Sequence, residues 1–204
     1  MRLLIGGPTR DMIPADFARD VAHLFAKTKD FRVWSTVDLE FMPSTYIHVG
    51  RDLYLDAALK KGMTHILWLD TDMSFPDHLA LILHSHDKPV IGCNYKVRQP
   101  SGLWTASKDG RRVNSDNVRG LETVDYCGMG AMLMRTEVVA TLLRPCFRHG
   151  LNEEKGDIGE DVMFCRSLRA IGYDIYIDHD LSKQVKHIGL FKYGYEDCEA
   201  EVSV

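Results

Sequence analysis

The 204-residue chain has no C-x-x-C pair, no long apolar run and no excess of positive charge, and each absence removes a class of function. Its five cysteines, Cys93, Cys127, Cys146, Cys165 and Cys198, are odd in number and scattered, which argues against a zinc ribbon or a dithiol redox motif and fits reduced, intracellular thiols. No apolar stretch approaches membrane-spanning length. The amino terminus, MRLLIGGPTRD, turns polar too early for a signal peptide, so a cytoplasmic location is expected. A net charge of -4 gives no bulk attraction to a polyanion, so any nucleic-acid contact has to come from a local patch. The patterns G-x-x-x-x-G-K-[ST], G-x-G-x-x-G, G-x-S-x-G and H-E-x-x-H are also absent, which leaves little room for a P-loop kinase, dehydrogenase, serine hydrolase or zinc protease.

What is present is a chain with 45% hydrophobic residues, enough for one compact domain over residues 1–204. Strand-like and helical patterns alternate, as in a wound α/β sheet. Strands are expected at Arg2 to Gly6, Phe31 to Val37, His65 to Leu69, Pro89 to Tyr95, Thr123 to Tyr126, Ala131 to Met134 and Tyr173 to Ile177. Helices are expected at Pro14 to Lys27, Gly50 to Lys61, from Pro76 onward, briefly after Thr136, and from Gly159 to Gly172, with Val162, Cys165 and Leu168 inward. The polar stretch 96–120 is long for a connection and reads as a mobile loop, and the acidic tail 195–204 as solvated.

The most informative segment is THILWLDTDMSFP, residues 64–76, in which a fully apolar strand ends on Asp70 and Asp72. Carboxylates this close repel and call for a cation or donors nearby. In open α/β sheets ligands collect beyond the carboxyl ends of the strands, and hard cations such as Mg²⁺ or Mn²⁺ accept one or two carboxylates together with substrate phosphates. Taken alone, Asp-x-Asp equally suits a turn in which Asp72 or Ser74 caps the next helix.

Three further segments follow in order. In DYCGMGAMLMR, residues 125–135, Gly128 and Gly130 around Met129 permit close backbone approach, to a ligand or at a bulge. In GEDVMF, residues 159–164, Glu160 and Asp161 fall in the first turn of a helix, where negative charge is favoured. In KQVKHIG, residues 183–189, His187 is a candidate metal ligand, and Lys183, Lys186 and Lys192 suit a diphosphate.

In this order the four segments resemble the core motifs of nucleotide-sugar glycosyltransferases of the GT-A fold, a Rossmann-like wound mixed sheet flanked by helices. The resemblance runs from the first strand to about Gly189 and includes GRDLYLDAALKKGMTHILWLDTDM. It implies Mn²⁺ or Mg²⁺ as cofactor, a nucleoside-diphosphate sugar (UDP-linked on this likeness) as donor, Asp72 and His187 as metal ligands, and Asp70 near the ribose and the metal. It further implies Asp161 as the catalytic base of an inverting enzyme with Glu160 in support, a retaining enzyme staying open as the alternative for the same pair. Looser matches place Pro8, Thr9, Arg10, Asp38, Arg51, Thr71 and Lys186 toward the nucleotide and Gly128, Met129 and Gly130 toward the sugar. The first loop, GGPTRD, departs from the family's common start, and the chain is short for the family.

For the acceptor, Tyr95 and Trp104 interleave with Lys96, Arg98, Lys108, Arg111, Arg112 and Arg119, a composition that suits either a solvated loop or a nucleic-acid contact. Small stand-alone chains of this kind also resemble phage-encoded glycosyltransferases that decorate hydroxymethylated pyrimidines in DNA. The expected acceptors are therefore modified DNA or a saccharide, lipid-linked or protein hydroxyl. Two other classes stay open: a nucleotide-sugar pyrophosphorylase or nucleotidyltransferase, and a binding module without catalysis.

Overall fold

The structure is a computed structural model, and it describes residues 1–10, 12–98, 102–152, 156–189 and 192–193. The expected acidic tail and Cys198 lie outside these residues. In chain order the elements are β1 (Arg2–Thr9), α1 (Ala15–Asp30), β2 (Thr36–Pro43), α2 (Ile47–Lys60), β3 (His65–Leu69), β4 (Met73–Ser74), α3 (Leu79–Ser85), β5 (Val90–Gly92), β6 (Ser107–Lys108), β7 (Arg111–Arg112), β8 (Leu121–Val124), β9 (Ala131–Arg135), β10 (Gly150–Asn152), β11 (Gly156–Ile158), α4 (Glu160–Ala170), β12 (Ile175–Asp178), α5 (His179–Ser182), β13 (Lys186–Ile188) and β14 (Lys192–Tyr193). Thr136–Val139 forms one 3₁₀ turn.

The central sheet has seven strands in the order β2-β1-β3-β9-β5-β12-β8. β2, β1, β3, β5 and β12 run one way, while β9 and β8 run against them. The fold is therefore a mixed α/β sheet covered on both faces, as the alternation predicts. Leu4, Ile66 and Trp68 face one core with Tyr54 and Leu55 of α2 and Phe164 and Leu168 of α4. Leu3, Ile5, Leu67 and Leu69 face the other with Phe17, Val21 and Leu24 of α1 and Leu79 and Leu83 of α3. All five positions of β3 are buried, which is why its sequence shows no polar alternation. Trp68, in edge-type contact with Phe147 at 5.4 Å and tilted against Tyr54 at 5.2 Å, anchors the first core. Val162 is only half-buried, and Phe164 takes the inward position expected for it.

The main displacement concerns the second strand. Residues 31–35 leave α1 in a bend with Arg32 at φ 51, and the strand runs Thr36–Pro43. Trp34 is buried, yet it packs against His65 and His84 and does not belong to a strand, so its apolarity misdirects the pattern. The strand expected at 123–126 likewise lies at Leu121–Val124. Gly6, at φ 138, lets β2 approach: a side chain there would collide with the Glu40 carbonyl.

The described part of 96–120 is held more firmly than a mobile loop would be. Asn94 donates to the Val113 carbonyl and the Ser115 hydroxyl and accepts from the Ala106 amide, while β6 and β7 form a hairpin within the stretch. Among the described residues no helix is long and apolar enough to cross a membrane.

Candidate functional site

The chain leaves β1 toward β2 on one side and places β3 on the other, so the carboxyl ends of β1 and β3 form a switch point, the usual ligand crevice of such sheets. A cleft of about 590 Å³ opens there, lined by Pro8, Thr9, Arg10, Ser44, Thr45, Ile47, Asp70, Thr71, Asp72, Arg98 and His187 among others. The Thr9 hydroxyl is buried without a hydrogen-bond partner, and Arg10 is exposed at the mouth.

Asp72 and His187 both line this cleft, and strand pairing joins their backbones. β13 pairs antiparallel with β4, Met73 opposite His187, and the Ile188 amide donates to the Asp72 carbonyl at 2.6 Å. Asp20 of α1 secures the turn by accepting from the Ser74 hydroxyl at 2.6 Å. Neither Asp72 nor Ser74 caps α3, whose N-cap is His78, so helix capping does not account for the aspartate pair. His187 Nδ1 bonds to the Lys96 carbonyl, an acceptor only, so Nδ1 is the donor and Nε2 is the nitrogen left to meet a ligand. The His187 ring also stands edge-on to Tyr95 at 4.9 Å.

The positive charge demanded by the tandem aspartates comes from two arginines. Arg51, 2% exposed, donates from Nη2 to Asp70 at 3.0 Å and stands 3.4 Å from Glu160 through Nη1. Arg98 Nη2 lies 3.0 Å from Asp72. Burial opposes charge on Arg51, but Asp70, Glu160 and Asp161 outweigh it and hold the guanidinium above its ordinary pKa. Burial raises the Asp72 carboxyl, and Asp70 adds to that, against the pull of His187 and Arg98.

Asp161 lies in the first turn of α4, where its Oδ1 accepts from the Val162 amide at 2.7 Å. Burial is the main cause that raises its pKa, with Glu160 and Asp70 adding repulsion and Arg51 opposing them. A carboxylate that is half-desolvated, raised and fixed on a helix is chemically suited to accept a proton.

Other expectations sort differently. Arg51, Glu160 and Asp161 are not part of the cleft lining; Arg51 bridges Asp70, which is, to Glu160, which is not. Asp38 lies mid-strand opposite Leu4, because β2 ends at Pro43 and Ser44 and Thr45 take the position beyond it. Lys186 is on β13 opposite Ser74 and is not part of the lining. Lys183 turns away to the Val118 carbonyl at 2.9 Å, and the Lys192 side chain lies outside the described residues. Gly128, Met129 and Gly130 are all buried. The two glycines make room for the Tyr95 hydroxyl, which accepts from the Gly130 amide at 2.7 Å. Trp104 is buried and bridged to Lys96, and Lys96 is itself 1% exposed with no partner for its ammonium.

Sequence reasoning missed the roles of Arg98 and Asp20. It also missed the buried role of Arg51, although Arg51 is in helical phase with Tyr54, Leu55 and Ala58, the buried face of α2.

For a divalent cation, the described residues gather no group of three His, Cys, Asp or Glu side chains in ligating position. Asp72 and His187, both in the cleft lining, are of types that ligate such a cation, and two protein ligands fit a cation shared with substrate phosphates and do not fit one caged by protein alone.

No protein-family model matches the chain, and no curated protein matches it either. Among solved structures it is similar to A197 from STIV, with a TM-score of 0.67, 17% identity, and coverage of 100% of this chain and 97% of that one. It is also similar to apo UDP-glucose pyrophosphorylase, with a TM-score of 0.52, 8% identity, and coverage of 95% and 92%. At these identities the likeness is one of fold: the chain shares a wound α/β architecture with both proteins.

Proposed function

We propose that the protein is a metal-dependent glycosyltransferase that moves a sugar from a nucleoside-diphosphate sugar to an acceptor hydroxyl with inversion. The observation that supports this reading is the presence of both Asp72 and His187 in the lining of the switch-point cleft, with Arg51 pairing Asp70 and Glu160, the residue before Asp161. The diphosphate belongs at Asp72, His187 and Arg98, and the nucleoside toward Pro8, Thr9, Ser44, Thr45 and Thr71.

Mn²⁺ or Mg²⁺, held by Asp72 and His187 with phosphate oxygens, would supply Lewis-acid stabilisation of the departing diphosphate. Arg98, whose guanidinium already faces the same carboxylate, adds fixed positive charge on that side. Asp161 accepts the proton of the attacking hydroxyl, and Arg51, paired with both Asp70 and Glu160, offsets the repulsion among the clustered carboxylates. Transfer releases a nucleoside diphosphate and inverts the anomeric carbon.

A second reading, a nucleotide-sugar pyrophosphorylase, is favoured by the fold shared with UDP-glucose pyrophosphorylase. Incubation with UDP-sugars and Mn²⁺, in parallel with a panel of acceptor hydroxyl compounds and with pyrophosphate, separates the two. Transferase activity yields UDP and a glycoside of inverted configuration. Consumption of pyrophosphate with release of UTP and a sugar 1-phosphate would establish the second reading instead.

A further inference from the structure

Beside the donor cleft runs a row of rings that the transfer chemistry leaves unused. Thr45 and Ile47 line the cleft. From the same segment Tyr46 and His48 project with ring centroids 6.0 Å apart, and His48 meets His149 edge-on at 5.2 Å. Tyr46 is 67% exposed, and the His149 side chain is 44% exposed. At the far end His149 Nδ1 stands 3.0 Å from Asp157, and Nε2 stands 3.7 Å from Glu160, the neighbour of Asp161. The row thus begins at the rim of the donor cleft and ends beside the proposed base. Among the described residues, the charged groups within ion-pair reach of the row are Asp157 and Glu160, both carboxylates.

Ring faces offer flat apolar area at small entropic cost, and carboxylate oxygens accept several hydroxyl hydrogen bonds. A pyranose presents the complement of both, an apolar C–H face with a rim of hydroxyl donors. A phosphodiester chain would bring negative charge against Asp157 and Glu160, and like charges meeting at an interface select against that partner. We infer that Tyr46, His48 and His149 form the acceptor subsite and that the acceptor is a neutral saccharide, an inference that rests on the glycosyltransferase reading above. A sugar stacked on Tyr46 and His48 has its far hydroxyls at His149 and Glu160, and a hydroxyl at that end is the one delivered to Asp161.

The test measures binding directly, on the intact chain saturated with UDP and Mn²⁺. Saturation-transfer NMR is recorded with the p-nitrophenyl glycosides of glucose, galactose, mannose and N-acetylglucosamine, and with a short duplex containing hydroxymethylcytosine. At least one glycoside is expected to bind, and its affinity to fall about tenfold or more in the Tyr46→Ala/His48→Ala double variant, as two stacking contacts require. UDP affinity by calorimetry reports that the variant is folded. Absence of binding by all four glycosides, glycoside binding that the double variant leaves unchanged, or duplex binding lost in that variant would each overturn the inference. Failure of the glycosyltransferase reading shows separately, as glycoside binding that depends on the rings without any transfer from UDP-sugars.

Discussion

The two ends of β3 bury ionisable groups by opposite means. At the amino end His65, 6% exposed, lies among Trp34 and His84 and has its pKa lowered to about 4, chiefly by burial, with His84 and Arg135 adding to it. It gives up its charge. At the carboxyl end Asp70 faces the Arg51 guanidinium and Asp72 faces that of Arg98, each pair at 3.0 Å. A neutralised group needs only packing, whereas a retained charge needs a partner and can act on a ligand. On the proposed reading the carboxyl end serves the ligand, and the amino end serves stability.

The comparison breaks most visibly at Asp161. Asp161→Asn is expected to lower kcat by roughly 10²–10⁴-fold in transfer from UDP-sugar while donor affinity by calorimetry stays within error. Full turnover in the folded variant would remove the base assignment.

Arg51→Met tests whether countercharge is what the carboxyl end requires. It leaves Asp70, Glu160 and Asp161 without their common cation, and denaturant unfolding is expected to show a loss of about 3–5 kcal/mol. A loss below 1 kcal/mol would mean the carboxylates are solvated well enough to need no arginine. Tyr95→Phe is a smaller perturbation, since it strips the Gly130 amide of its acceptor in a buried loop. An expected cost of about 1–3 kcal/mol can be read from the same transition.

The pH dependences of the two ends have distinct signs. The folded pKa of His65 is depressed, so its contribution to stability is fully present above the unfolded value of 6.5 and is lost as pH falls toward about 4. Urea midpoints measured across that window should fall more steeply for the wild type than for His65→Gln. Asp161 is raised above 3.8, so the acid limb of kcat should lie above the ordinary aspartate range, since the protonated carboxyl cannot act as base. A limb at or below 3.8 would contradict the environment described for Asp161.

Much of this architecture is legible in the residues. β1, α1, α2 and β3 carry unbroken apolar or helical periodicity, and they fall within a few residues of the expected spans. β2 was not legible. Trp34 imitates a strand residue, and the consequence propagates to the site, because the shifted end of β2 replaces Asp38 by Ser44 and Thr45 at the cleft. The Asp-x-Asp segment and His187 were legible as chemistry-bearing types in an order, and the structure brings them to one wall. The two arginines were not, because an ion pair depends on where side chains from distant segments meet; the polar composition put Arg98 in a loop, and the family resemblance put Arg51 at the nucleotide. The glycines of residues 128–130 were read as room for a substrate; the closer neighbour is the Tyr95 ring, itself separated from them by the whole 96–120 stretch.

On the proposed reading Asp72 and His187 form half of a cation site that the donor's diphosphate completes. Mn²⁺ binding followed by electron paramagnetic resonance, with and without UDP, tests it most directly. The account predicts weak Mn²⁺ uptake by the protein alone, tight uptake when UDP is added, and loss of that enhancement in His187→Ala. Tight binding without nucleotide, or an enhancement that survives His187→Ala, would contradict it.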